Sequence, residues 1–316
     1  MRRATAIPTL QSLRAGGKRA LAQALALIET ARGTEELADL LDMAAADPKA
    51  HVAGLTGPPG VGKSTLTNAL IRDWRGKAET VGVIAVDPSS RATGGALLGD
   101  RARMQTDPQD KGVYVRSMAA RDRLGGLSDD TVAAVALMRA LFDRVLVESV
   151  GIGQSEADIS FAADSVVLCV QPGSGDSLQF MKAGVMELPD IVVVTKADMG
   201  AAARRARSEV EGALTLFTRD DDWHVPVVLV SAPTGEGLDE LHKALAAHRD
   251  HLGTSRLAAR RKTQEKTWID ESVRARFGAE GVAVARKLDL APAGPFGRER
   301  QIAARLLQAM LAAIRG

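Results

Sequence analysis

The chain has almost no cysteine. Its one thiol, Cys169, lies inside an apolar run, so no disulfide framework can form within the chain and a cysteine-rich metal site is excluded. A lone cysteine among apolar neighbours reads as an inert core residue. Aromatic residues are 3% of the chain and the net charge is only +2. The first disfavours base-stacking platforms and the second removes a strongly basic nucleic-acid footprint. No apolar run reaches the roughly 18–20 residues that a bilayer requires, and the N-terminus has no apolar signal core. That N-terminus is basic, with no acid before Glu29. A transit peptide therefore stands beside a folded helix burying Leu21, Leu25, Leu27 and Ile28; the apolar spacing, which runs on into a second helical stretch from Thr34 to Ala46, favours the helix.

What is present is ordinary globular material, 46% hydrophobic and 25% charged over 316 residues, ample for a sizeable core and for one α/β domain with extensions. Residues 1–50 read as a helical extension without chemistry, with Gly33 ending one helix and Thr34 starting the next. From 51 to 250, short apolar runs alternate with helical patterns: Val52–Leu55, Val81–Val86, Val113–Val115, Val145–Val147, Val166–Val170, Ile191–Val194 and Val227–Val230. Runs of Val and Ile buried on both faces predict an α/β fold with a mostly parallel central sheet. Ligands of such sheets bind beyond the carboxyl ends of the strands, so the residues that follow each run are the ones to read. Residues 251–316 are helical and charged. A Pro/Gly connection from Ala291 to Gly297 precedes a last helix, Ile302 to Ile314, with Leu306, Leu307, Met310 and Leu311 on one side. With little core of its own, this segment fits an arm that packs on a second subunit or, equally, a helix folded back on the main domain.

After the first run comes Gly57-Pro58-Pro59-Gly60-Val61-Gly62-Lys63-Ser64-Thr65, the pattern of a phosphate loop between strand and helix. Its glycines let successive backbone N–H groups wrap a phosphate, and the helix N-terminus adds a positive dipole end. Lys63 would neutralise β- and γ-phosphate charge, and the Ser64 hydroxyl would ligate Mg²⁺.

Acids follow the next strands. Asp87 ends the second run and Asp100 lies in the loop it opens; both are placed to hold Mg²⁺ directly or through water. Glu148 ends the fourth run and Gly151 follows it, the arrangement in which an acid serves the metal or its water while a glycine N–H tracks the γ-phosphate. Val194 is followed by Thr195-Lys196-Ala197-Asp198. The usual guanine signature has Asn first. The Asp198 carboxylate would accept from guanine N1–H and the exocyclic amine, which adenine cannot satisfy, and the Lys196 stem would lie over the base. Thr195 keeps a hydroxyl but loses the amide that braces the phosphate loop, which bears on nucleotide affinity more than on base choice. Ser231-Ala232-Pro233 follows in order, with a backbone N–H at Ala232 suited to guanine O6. A loop after Val170, carrying Asp176, Gln179 and Lys182, also sits on the ligand side, where a plain Gly-Ser turn is equally consistent.

Together these motifs resemble the methylmalonyl-CoA mutase-associated GTPases, the MeaB family, over about residues 10–275. The resemblance rests on the phosphate loop, Val86-Asp87-Pro88-Ser89-Ser90, the stretch Gly94-Gly95 to Gly99-Asp100-Arg101, and Glu148-Ser149-Val150-Gly151-Ile152-Gly153-Gln154-Ser155-Glu156. Gly175-Asp176 with Gln179 and Lys182, and Lys196-Ala197-Asp198, complete it. The run Gly16-Gly17-Lys18-Arg19 to Glu29 is similar to the family's first helix, which implies a folded N-terminus and a cytoplasmic protein. The resemblance implies that Asp87, Asp100 and Glu148 surround Mg²⁺, with Lys63, Glu148 and Asp87 catalytic. It implies that the loop with Asp176, Gln179 and Lys182 is a partner-responsive switch, and that GTP is hydrolysed to GDP to gate cobalamin loading and protect an adenosylcobalamin-dependent acyl-CoA mutase. It also implies a homodimer through residues 251–316, on either side of a GTPase domain at 51–250 and the extension at 1–50. No membrane or nucleic-acid partner is implied. Two rivals share the motifs. A nickel-delivery GTPase of the same broader group would need a His/Cys site that one Cys and five unclustered His do not offer; a kinase would use the same loop for transfer to an acceptor. A scaffold that binds GTP without hydrolysing it is opposed by intact Lys63, Ser64 and Glu148.

Overall fold

The computed structural model describes residues 7–88, 104, 106–120, 127–149, 158–173, 185–217 and 221–315. Seven strands form one sheet: β1 (His51–Thr56), β2 (Val81–Pro88), β3 (Val113–Ala120), β4 (Arg144–Glu148), β5 (Ser165–Val170), β6 (Ile191–Thr195) and β7 (Val227–Val230). Their order is β3-β2-β4-β1-β5-β6-β7 and every paired strand is parallel. Each of the seven apolar runs is therefore a strand, and each is explained by burial on both faces. Along β1 and β2, Val52, Ile84 and Val86 enter one core while Ala53, Leu55, Val83 and Ala85 enter the other. An alternation of side chains with no polar face is what a sheet covered on both sides requires.

The first core lies under α1 (Leu10–Thr30), α2 (Glu35–Ala46) and α4 (Asp129–Leu141); the second lies under α3 (Lys63–Gly76). A smaller third cluster packs α5 (Ala201–Leu214) on β6 and β7. Side-chain caps start several of these helices. Thr9, Thr34 and Ser128 each accept a backbone N–H of the first turn, and the acids Glu35, Glu36, Asp129 and Asp130 favour the dipole there. Within α1, Gly17 breaks the helix at φ 62°. Of the predicted apolar face of α1, Leu21, Leu25 and Ile28 are buried and Leu27 is only half-buried.

The C-terminal segment folds back on the main domain and shares its core. The helical stretch α6 (Leu238–Ala285), broken at Gly253 and Gly278, sends Trp268, Ile269, Val273 and Val282 into the first core. The last helix, α7 (Pro295–Arg315), packs on α2 and α6 and adds Phe296, Ile302 and Leu306 to the first core. It begins earlier than the Pro/Gly composition suggests because Pro295 stands at its first position, where a missing N–H costs nothing. Asp42 of α2 caps it, accepting from Phe296 N at 2.8 Å and Gly297 N at 3.0 Å. Leu307, Met310, Leu311 and Ile314 of α7 are left exposed.

A buried polar network ties α6 to the amino edge of the sheet. His51 Nε2 lies 2.7 Å from Ser165 Oγ, which lies 2.6 Å from His248 Nδ1. Arg261 pairs with Asp164 and Arg260 with Asp190, each through two hydrogen bonds, and the same carboxylates accept the backbone N–H groups of Val52 and Val166. Such charges are tolerated inside because every one is paired. Among the described residues no helix is long and apolar enough to cross a membrane.

Candidate functional site

The carboxyl ends of β1, β2, β4, β5 and β6 converge on the loop 57–62. Gly57, Gly60 and Gly62 take φ of 134°, 75° and 105°, a region closed to most side chains. Gly57 is needed for a second reason: a Cβ there would stand 2.2 Å from the carbonyl oxygen of Cys169 on β5. Cys169 itself is fully buried beneath the loop, and burial pushes its thiol up to about 12, so it is inert. Helix α3 starts at Gly62 in a left-handed conformation, with no side-chain cap and no acid in its first turn. Its leading N–H groups and dipole thus remain available to an anion.

The functional groups of this loop are held by one another. Lys63 is buried and its Nζ donates to Gly57 O at 2.7 Å and Pro58 O at 3.1 Å. Ser64 Oγ donates to Glu148 Oε1 at 2.7 Å. Thr67, which sequence reading passed over, donates its hydroxyl to Glu148 Oε2 at 3.1 Å; its only sequence signal is a hydroxyl one turn beyond Ser64. Glu148 and Asp87 are both buried, at the ends of adjacent strands whose register pairs Ala85 with Glu148. Pro59, Gly60 and Thr65 are exposed at the loop surface, and Val61 is buried beneath it.

Thr195 reverses the expectation attached to it. Its hydroxyl donates to Val61 O at 2.7 Å and lies 3.0 Å from Val170 O. The short side chain thus braces the phosphate loop without the missing amide, because the end of β6 brings it directly under Val61. Lys196 follows in the left-handed region, φ 56°, with its ammonium on the Gln171 side-chain oxygen. A lysine there is uncommon enough to mark a constrained site. Asp198 is exposed in the short turn Ala197–Met199. Past β7, Ser231 is buried and its Oγ has no hydrogen-bond partner among the described residues, while Ala232 is half-buried and Pro233 exposed. A tight turn closed by Ser231 N on Glu236 O and Gly235 N on Ser231 O shapes this segment. Gly237 is obligatory in it, since a Cβ would stand 1.8 Å from Leu229 O.

Asp100, Gly151, Asp176, Gln179 and Lys182 lie outside the described residues. Among the described residues no group of three His, Cys, Asp or Glu side chains converges on a metal position. Ser64 and Glu148 meet, and Asp87 ends the strand beside Glu148; all three are oxygen donors, the chemistry of a hard cation that keeps much of its water.

The family model for the methylmalonyl-CoA mutase-associated GTPase MeaB matches residues 21–284. The chain is 42% identical over 270 residues to a protein of Pyrococcus horikoshii named "Putative GTPase", covering 84% of this chain and 83% of that one. It is 38% identical over 227 residues to the mouse mitochondrial methylmalonic aciduria type A homolog, covering 70% of this chain and 55% of the mouse protein. A crystal structure of a LAO/AO transport system kinase superposes with a TM-score of 0.67 at 26% identity, covering 94% of this chain and 96% of that one. The glycine loop opens α3, and Glu148 and Asp87 end adjacent strands. With the family model and these relatives, they establish that the chain is a GTPase of the MeaB family.

Proposed function

We propose that the protein hydrolyses GTP to GDP as a chaperone of an adenosylcobalamin-dependent acyl-CoA mutase of the methylmalonyl-CoA mutase type, gating cofactor loading and protecting the enzyme. The observation that carries the reading is the joining of the two halves of the site: Thr195, at the head of the base-recognition turn, is bonded to the phosphate loop itself. The family description and the mouse relative support the choice of client.

In this reading Lys63 leaves the carbonyls of Gly57 and Pro58 for the β- and γ-phosphates, and the loop from Gly57 to Thr65 holds the phosphate oxygens by its backbone N–H groups, with Pro58 and Pro59, which have none, shaping the turn. Asp198 and the Lys196 stem read guanine, with Ser231, Ala232 and Pro233 on its O6 side. Ser64, Asp87, Glu148 and Asp100 form the Mg²⁺ site, and Gly151 follows the γ-phosphate. Mg²⁺, when bound, supplies positive charge against the developing charge of the transferring group. No residue reads as an arginine finger or a water-positioning glutamine, so intrinsic turnover is slow and a partner raises it. The loop with Asp176, Gln179 and Lys182 is the segment through which the partner acts. The chain works in the cytoplasm, divides into the 1–50 extension, the 51–250 GTPase domain and the 251–316 arm, and dimerises through the arm, where Leu307, Met310, Leu311 and Ile314 stand exposed.

The test is GTP turnover alone and with a purified cobalamin-dependent acyl-CoA mutase from the same source, with ATP and Lys63→Ala as controls. Stimulation confined to GTP and to the intact lysine is expected. Turnover unchanged by every mutase would overturn the client assignment. The kinase reading is kept in play by the name of the superposing structure; a phosphorylated acceptor in place of free phosphate would establish it.

A further inference from the structure

Five threonines inside the described helices have hydroxyl hydrogen bonds; Thr131 shares one with the N-cap hydroxyl of Ser128, and three of the other four behave alike. Thr30, Thr263 and Thr267 each donate their hydroxyl to the backbone carbonyl four residues back, the usual outlet for a threonine in a helix. Thr67 does not. Fully buried in α3, it turns its hydroxyl to Glu148 Oε2 instead. Ser64 and Thr67 are three residues apart and share one face of the helix, so the Glu148 carboxylate lies across both, one oxygen to each hydroxyl.

The two hydroxyls are not equivalent. Ser64 is partly exposed at the mouth of the loop, and Thr67 is 0% exposed one turn deeper. If Ser64 is the Mg²⁺ ligand of the reading above, on which this inference rests, its hydroxyl cannot stay committed to Glu148. The carboxylate must release it without leaving the site. We propose that Thr67 is the positioning residue that makes this possible: it anchors Glu148 by Oε2, so that Oε1 hands Ser64 over to the ion and remains beside it. A glutamate held at one oxygen has its rotamer chosen in advance, and the ordering of a flexible side chain does not have to be met when the ion arrives. Without the anchor, Glu148 loses the hydrogen bond that fixes Oε2 and stays committed to Ser64.

Thr67→Val removes the hydroxyl at nearly constant shape, Thr67→Ala removes it with less bulk and Thr67→Ser retains it. The readouts are retention of a fluorescent GDP across a Mg²⁺ titration, the same GDP affinity in EDTA, and GTP turnover at saturating Mg²⁺. Loss of one hydrogen bond to a charged group predicts that Val and Ala need about tenfold more Mg²⁺. GDP affinity in EDTA and the KM for GTP at saturating Mg²⁺ should be unchanged, and Ser should restore the wild-type Mg²⁺ requirement. An unchanged Mg²⁺ requirement in Ala, or an equal loss of GDP affinity in EDTA, overturns the proposal; the latter would make Thr67 a structural element of α3. Should Val melt below the assay temperature, Ala and Ser decide. Wild-type protein that holds GDP without regard to Mg²⁺ would instead overturn the metal reading beneath it.

Discussion

Replacing Thr195 by valine should weaken nucleotide binding without changing base preference. The side chain is 6% exposed at the end of β6, and valine keeps its shape while removing its hydroxyl. That hydroxyl has one proton, shared between Val61 O at 2.7 Å and Val170 O at 3.0 Å. Val61 is buried, so its carbonyl gains no water when the bond is lost. A buried acceptor left unsatisfied costs about 1–3 kcal/mol. The cost falls on the one conformation of the loop 57–62 that offers its amides to phosphate. If the loop then spends most of its time elsewhere, apparent affinity falls in proportion to the competent fraction. At about 1.4 kcal/mol per decade, GDP affinity should drop by roughly 5- to 100-fold. The assay is equilibrium binding of a fluorescent GDP to wild type, Thr195→Val, Thr195→Ser and Thr195→Asn, with ADP competition. Serine and asparagine should stay close to wild type, since each can reach Val61 O, and selectivity for guanine should persist in all four because Asp198 is untouched. Wild-type affinity in Thr195→Val would refute the bracing argument. Lost guanine selectivity at unchanged affinity would refute it too, by placing Thr195 on the base.

Asp198→Ala should erase the preference for GDP over ADP while leaving the melting temperature unchanged, because the carboxylate is exposed in its turn; competition binding reads it. Gly57→Ala should abolish nucleotide binding and destabilise the fold by about 2 kcal/mol or more, since the new Cβ would stand 2.2 Å from Cys169 O at a φ that alanine rarely adopts; calorimetric melting with and without GDP checks both. Asp42→Ala removes the cap from α7 and should cost about 1 kcal/mol, seen as faster amide exchange at Phe296 and Gly297. Burial, opposed by Asp164 and reinforced by His248, Arg261 and Arg249, lowers the His51 pKa from 6.5 to about 4. The unfolded chain therefore binds the extra proton between those values. Stability is complete above pH 6.5 and falls as the pH drops toward 4, by on the order of 3 kcal/mol in all. Urea midpoints measured from pH 7 to 4 should show that slope, and His51→Asn should flatten it.

The parts of this molecule that the sequence makes legible are those whose cause is local. A phosphate loop needs glycines at positive φ and a helix directly after it, and Gly57, Gly60, Gly62 and Lys63 state that within a few positions. A two-sided sheet needs uninterrupted Val and Ile, and all seven runs are strands. What is not legible depends on register across the sheet. Thr67 meets Glu148 across 81 residues and His51 meets Ser165 across 114; neither pair has a spacing that could announce it. The amino-edge network was invisible for a further reason: the rule that ligands bind beyond carboxyl ends directs attention away from Asp164, Asp190 and His248. The C-terminal segment misled through composition, because Trp268, Ile269 and Val273 are dispersed among Lys and Arg, and the packing of α7 and the sheet against α6 reveals which of its faces is apolar. Thr195 joins the two regimes. Its place after β6 is local information, but whether a hydroxyl can stand in for an amide depends on how closely the end of β6 approaches the phosphate loop, and that distance is set by the strand between them, β5, whose Val170 carbonyl shares the same proton.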